Sequence, residues 1–235
     1  MKYYVYMLSL ICMLFFSQYS YANEEKRTLN LGALSCQEWV DVPDHSLKGV
    51  FIEEWISGKI NGIDLLCFLE KSGKCISNYI DSSYKGRIDQ VFTSAKKWCK
   101  SHPDATVSSA TTYAWEHLFD DLPNISSEDI YLTGFGKATC STIVSKIKTD
   151  IGVSAVLFFS DGEFNGLEEK CQKDNKSFCV GGDTLAKADD NYMSLLFGKA
   201  VVHCTKNHDD HFGAVIFDVW SDLRHKAHIH HKEEE

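Results

Sequence analysis

The chain has 235 residues, 44% of them apolar, and its 33 acidic residues outnumber its 24 basic ones. That excess of negative charge makes nucleic acid a poor partner, and a count of nine cysteines points to an oxidising compartment. Beyond the first residues no apolar stretch approaches the length of a membrane span.

The chain opens Met1-Lys2, runs through an apolar stretch from Tyr3 to Phe16 and reaches Ser20-Tyr21-Ala22 ahead of the charged Asn23-Glu24-Glu25-Lys26-Arg27. A short basic start, an apolar middle and small residues at the cleavage positions predict a secretory signal peptide over 1–22. An uncleaved anchor is the alternative, because the stretch is little shorter than the ~20 residues of a span. With cleavage after Ala22, no stable membrane insertion is expected and the location is periplasmic or secreted. Losing Lys2 leaves 23 basic against 33 acidic residues, a net −10 with histidine neutral. With carboxylates neutralised and all ten histidines charged, the formal charge becomes +33.

Cys12 leaves with the signal, and eight cysteines remain: Cys36, Cys67, Cys75 and Cys99, then Cys140, Cys171, Cys179 and Cys204. An even number suits a complete disulfide framework, and the lack of any Cys-x-x-Cys argues against structural zinc. The successive separations are 31, 8 and 24, then 31, 8 and 25. The second set is therefore the first moved by 104, with one residue added late. Gly58, Asn61 and Gly62 map onto Gly162, Asn165 and Gly166 at the same offset, and Trp115 and Leu118 onto Trp220 and Leu223 at 105. The sequence is a tandem duplication, with repeat one over 33–120, a linker over 121–135 containing Pro123, repeat two over 136–224 and a His/Glu-rich tail over 225–235. A module of about 85 residues buries only a modest core, so covalent staples help it.

Within each repeat the pattern is helical. Ser35-Cys36-Gln37-Glu38 has the form of a capping box. Val50, Phe51, Glu54 and Trp55 predict an amphipathic helix that ends at Gly58. Ile88, Val91, Phe92, Ala95 and Trp98 recur at three- and four-residue steps, as do Ala110, Tyr113, Ala114 and His117. Met193 to Val202 is similarly apolar, while Val153 to Phe159 has the length and character of a strand. The expected fold class is mainly α: two tandem small helical, disulfide-stapled domains.

These residues resemble the HdeA/HdeB acid-stress chaperones of the bacterial periplasm. Ser35-Cys36-Gln37-Glu38-Trp39-Val40-Asp41 is similar to the family's first motif, and Trp98-Cys99-Lys100-Ser101-His102-Pro103, with Trp115 16 residues beyond the cysteine, to its second. Repeat two keeps Thr139-Cys140, Cys204-Thr205-Lys206-Asn207-His208 and Trp220, and Gly181-Gly182-Asp183-Thr184 resembles a loop of the HdeB branch. The resemblance implies disulfides Cys36–Cys99 and Cys140–Cys204, leaving Cys67–Cys75 and Cys171–Cys179 as extra short-loop pairs; four cysteines per repeat permit three connectivities. It implies a protein that binds unfolding periplasmic clients through apolar surface exposed at low pH, with the two repeats packed as an intrachain pseudo-dimer. Carboxylates paired in the native state would lose their stabilising effect as pH falls, and the large positive charge would keep complexes soluble.

A second resemblance runs through Cys36-Gln37-Glu38-Trp39 and Gly58-Lys59-Ile60-Asn61-Gly62 to periplasmic immunity proteins of toxin systems, and implies a specific binding or inhibitor protein holding one partner at neutral pH. No Gly-x-Ser-x-Gly, His-Glu-x-x-His or phosphate loop occurs, so no catalytic residue and no cofactor are expected. The clustered His225, His228, His230 and His231 have the chemistry to bind zinc, copper or nickel. A solvated tail is favoured because they lie beyond both repeats without supporting residues. His203, His208, Asp209, Asp210 and His211 read as exposed loop residues, and core packing is expected for most of Trp39, Trp55, Trp98, Trp115 and Trp220.

Overall fold

The structure is a computed structural model that describes residues 31–43, 45–71, 75, 84–118, 134–174, 179–180 and 190–233. The expected signal peptide over 1–22, most of the linker and the 181–184 loop lie outside the described residues.

Among the described residues each repeat has four α-helices. Repeat one has α1 (Cys36–Val40), α2 (Leu47–Glu70), α3 (Tyr84–Ser101) and α4 (Val107–His117). Repeat two has α5 (Cys140–Lys146), α6 (Asp150–Lys173), α7 (Asp190–Cys204) and α8 (Phe212–Glu233). Among the described residues there is no strand, only the isolated bridges Ser35 to Thr106 and Thr139 to His211. Each bridge clasps the first helix of a repeat to its last. Cys36 N–H donates to Ala105 O at 2.7 Å and Val107 N–H to Leu34 O at 2.9 Å; Cys140 N–H donates to Asp210 O at 2.8 Å and Phe212 N–H to Ala138 O at 2.9 Å.

Side-chain caps open α1, α2 and α6. Ser35 Oγ accepts from Glu38 N–H at 3.2 Å while Glu38 Oε2 accepts from Ser35 N–H at 3.0 Å, which is the capping box read in the sequence. Ser46 Oγ accepts from Gly49 N–H at 3.0 Å to open α2, and Thr149 Oγ1 from Gly152 N–H at 3.1 Å to open α6. Two expectations fail here. α2 does not stop at Gly58 but continues to Glu70, where Lys71 closes it in the left-handed region at φ 52°. Val153 to Phe159 is not a strand but lies inside α6, a 24-residue helix whose apolar residues are shared between two cores.

Disulfides join Cys36 to Cys99, Cys67 to Cys75, Cys140 to Cys204 and Cys171 to Cys179, the pairing that the resemblance implies. The longer pairs tie α1 to α3 and α5 to α7, so every bridge stays within one repeat. Each repeat has its own core. Leu31, Trp39, Ile52, Ile56, Val91, Ala95 and Trp115 fill the first, and Ile143, Val156, Phe159, Phe164, Leu196, Phe212 and Trp220 the second. The cores also share residues: Leu66 of α2 sits in the second, and Phe158 of α6 packs against the first. The described residues from Leu31 on accordingly form one compact unit, with α2 against α6 as its most extensive helix contact.

Candidate functional site

The α2–α6 contact is made by glycines. A Cβ at Gly58 would lie 2.0 Å from Phe159 O, and one at Gly162 would lie 2.0 Å from Trp55 O. One turn on, Gly62 and Gly166 would meet Glu163 O and Lys59 O, each at 2.2 Å. No real side chain tolerates such distances, so the two backbones touch where the four glycines interlock. Residue numbers ascend together across the contact, so α2 and α6 run parallel, and each contact has a counterpart at the 104-residue offset. This explains why Gly58 does not end its helix. It is there for close approach, the use that small residues at four-residue spacing have wherever helices pack backbone to backbone.

Three of the residues between the paired glycines, Lys59, Asn61 and Glu163, are polar and buried. Lys59, with no exposed surface, places Nζ 3.1 Å from Ser108 O, in hydrogen-bond contact with Ser108 Oγ and 2.5 Å from Glu169 Oε2 across the seam. Thr112 Oγ1 donates to Glu169 Oε1 at 2.5 Å, and the Trp55 ring lies 5.6 Å from the ammonium. Burial pushes the Lys59 pKa down, opposed by the charge and hydrogen bond of Glu169. A lysine beside a serine invites a nucleophilic reading. Here Nζ faces three oxygens, one of them a carboxylate, which is the setting of an ammonium donor and not of a base for Ser108.

The counterpart of Lys59 is Glu163. It too is fully buried; Asn61 Nδ2 donates to its Oε1 at 2.7 Å, while Oε2 has no hydrogen-bond partner. Burial holds its pKa well above the usual carboxylate range, with the Asn61 hydrogen bond opposing. Nearby, Trp55 Nε1 donates to Asp161 Oδ2 at 2.7 Å, and burial pushes Asp161 up to about 6. Burial, with the charge of Glu53 adding and that of Lys146 opposing, pushes Glu54 up to about 7. Glu38 is the exception: hydrogen bonds from Ser35 lower its pKa, and it is a capping residue fully in solvent.

On the surface of repeat one, four rings stack across α3 and α4. His102 lies 4.0 Å from Trp98, Trp98 5.2 Å from Tyr113 and Tyr113 4.0 Å from His117, centroid to centroid, with interplanar angles of 11°, 26° and 24°. Each histidine places Nδ1 near the carbonyl four residues before it, His102 at 3.0 Å from Trp98 O and His117 at 2.8 Å from Tyr113 O. The stack is held in place yet open: both histidines are exposed, Tyr113 is 39% exposed and Trp98 is half-buried. Repeat two has His203, Asn207, Asp218 and Asp222 at the matching positions. There His203 Nε2 and Asp210 Oδ2 lie 2.7 Å apart, and burial raises the Asp218 pKa, with His203 opposing and Asp222 and Asp210 adding. A shallow cleft of about 300 Å³ lies beside the other face of α3, lined by Trp39, Val42, Glu53, Phe92 and Lys96 among others.

Among the tryptophans, Trp39, Trp55, Trp115 and Trp220 are core residues, and Trp98 alone of the five takes a surface position. His203 and Asp210 come together, whereas His208, Asp209 and His211 are exposed and His211 Nδ1 lies 3.0 Å from Lys137 O. Among the described residues no group of three or more histidine, cysteine or acidic side chains is placed to hold a metal ion. His225 is exposed on α8; the helix continues through 228, 230 and 231, but the side chains of those histidines lie outside the described residues. The four disulfides point to an oxidising compartment, and among the described residues no helix is long and apolar enough to cross a membrane. In the sequence Lys59 and Asn61 stand out only as members of a glycine-spaced run, and nothing local marks Glu163 or Glu169. The repeat offset carried the missing signal, since it aligns a lysine with a glutamate. No family model, curated protein or solved structure matches the chain.

Proposed function

We propose that this chain is a periplasmic or secreted helical binding protein that holds one specific protein partner at neutral pH, in the manner of an immunity or inhibitor protein. The observation that carries this reading is the ordered stack His102–Trp98–Tyr113–His117, exposed on one repeat and replaced in the other. The shared fold does not need it, because repeat two folds without it. Rigid, half-exposed Trp and Tyr rings are the residue types that dominate specific interfaces.

The seam supports the same reading. A carboxylate raised by burial is penalised where it ionises and relieved where it is protonated, so Asp161, Glu163 and Glu54 favour the folded pair more as pH falls. That is the opposite sign to an acid trigger. The charge reversal to +33 favours the second reading, a chaperone that captures unfolding clients in strong acid.

Tagged, disulfide-intact chain is used as bait in a periplasmic extract at pH 7 and at pH 3, alongside a light-scattering assay of a denaturing client. One stoichiometric partner at pH 7, lost with the Trp98→Ala/Tyr113→Ala variant, is the expected result. Many partners at pH 3 only, with suppressed scattering, would replace this reading with the chaperone.

A further inference from the structure

The four glycines and two asparagines of the seam are the same in both repeats, but the charged positions are not. Lys59 in α2 stands where α6 has Glu163, and Leu65 stands where α6 has Glu169. The flanking helices differ in step: Ser108 and Thr112 of α4 correspond, at the 105 offset, to Gly213 and Phe217 of α8. From this asymmetry we infer that the seam is a heterospecific recognition surface: repeat one fits repeat two and neither repeat fits itself, so any second copy of the chain that pairs through this surface must do so by reciprocal exchange of repeats.

Consider repeat one against a second repeat one. The glycines would still interlock, but each Lys59 would meet Leu65 where Glu169 now stands 2.5 Å away. Two ammonium groups would be buried at one contact with no anion for either, and an unpaired buried charge is among the strongest penalties an interface can carry. Repeat two against itself fails differently. Glu163 would find Asn165 in place of Asn61, but Glu169 would lose both of its donors, Lys59 Nζ and Thr112 Oγ1, and face Phe217 in the position of Thr112. Specificity here comes from penalising the like pair as much as from favouring the mixed one.

The disulfides make this testable, because none crosses the seam. A protease site is placed within 121–133 of the full chain, the folded protein is cut, and the halves are exchanged through mild denaturant with an isotopically labelled cut sample. Native mass spectrometry then counts the pairs. The expected result is the mixed pair alone, in labelled and unlabelled combinations. Like pairs near the quarter, half, quarter proportions of indifferent association would overturn the inference, as would halves that stay single after return to buffer. The cut Lys59→Leu chain is expected to yield like pairs of repeat one; if it yields none, selectivity does not reside in Lys59 and the assignment fails.

Discussion

Gly58 and Gly162 hold equivalent places on the two sides of one contact: a methyl group on either would sit 2.0 Å from a carbonyl oxygen of the facing helix, Phe159's in one case and Trp55's in the other. Gly58→Ala and Gly162→Ala should therefore each destabilise the fold by about 3 kcal/mol or more, the upper range for overpacking a close contact, and by similar amounts. Gly198→Ala is the control. It lies in α7 with nothing near its missing Cβ, so alanine should stabilise by up to about 1 kcal/mol. Urea unfolding followed by circular dichroism reads all three.

The Lys59–Glu169 pair should behave as a buried ion pair behaves when broken from one side. Glu169→Leu strands the ammonium and is expected to cost about 3 kcal/mol, reduced by the solvent that still reaches Glu169. The double variant Lys59→Met/Glu169→Leu should recover most of that loss, since neither charge then remains. A double variant no more stable than Glu169→Leu would mean that the loss came from packing alone.

Stability should rise as pH is lowered from 7 towards 4.5. Asp161 and Glu54, with folded pKa values of about 6 and about 7 against ordinary values of 3.8 and 4.5, bind protons in the folded state that the unfolded chain has released. Their penalty accumulates from the unfolded pKa up to the folded one and is absent below both. Asp161→Asn keeps an acceptor for Trp55 Nε1 and removes the titration. It should gain on the order of 1–3 kcal/mol at pH 7, gain nothing near pH 4, and flatten the slope between pH 4 and 6. Denaturant midpoints at pH 4, 5.5 and 7 provide the check.

The two kinds of disulfide should differ in weight. Replacing Cys36 and Cys99, 63 residues apart, removes a constraint worth about 4 kcal/mol on loop entropy, whereas replacing Cys67 and Cys75, 8 apart, removes about 2.5 kcal/mol. The serine double variants, compared by thermal unfolding at neutral pH, should rank in that order.

Much of the architecture was legible because it rests on local or repeated features. Ser35 and Glu38 cap a helix with atoms three residues apart, and the cysteine spacing repeats without reference to any fold. Gly58 misleads because a glycine closing a helix and a glycine admitting a neighbouring backbone look alike in one dimension; only Phe159, far along the chain, distinguishes them. The stretch from Val153 to Phe159 read as a strand because α6 faces a core on either side, which removes the alternation of apolar and polar turns that marks a surface helix. Lys59 gave no sign of burial, since the carboxylate that permits it lies 110 residues further on. The ring stack was half visible: Trp98 with His102 and Tyr113 with His117 are four-residue pairs, but nothing in the sequence sets one pair against the other.

The parallel course of α2 and α6 gives the molecule an electrical direction. Antiparallel neighbours cancel their peptide dipoles, while these two add, and each contributes roughly half a unit charge at either end. Both helices begin at the same pole, at Ser46 and Thr149, and end together near Lys71 and Asp174. Asp150 in the first turn of α6 and Lys170 and Lys173 in its last turn oppose that field, while α2 has no acid in its first turn and no base in its last. The molecule thus has a front and a back, and a charged body approaching along the seam would meet different potentials from the two ends before touching any side chain.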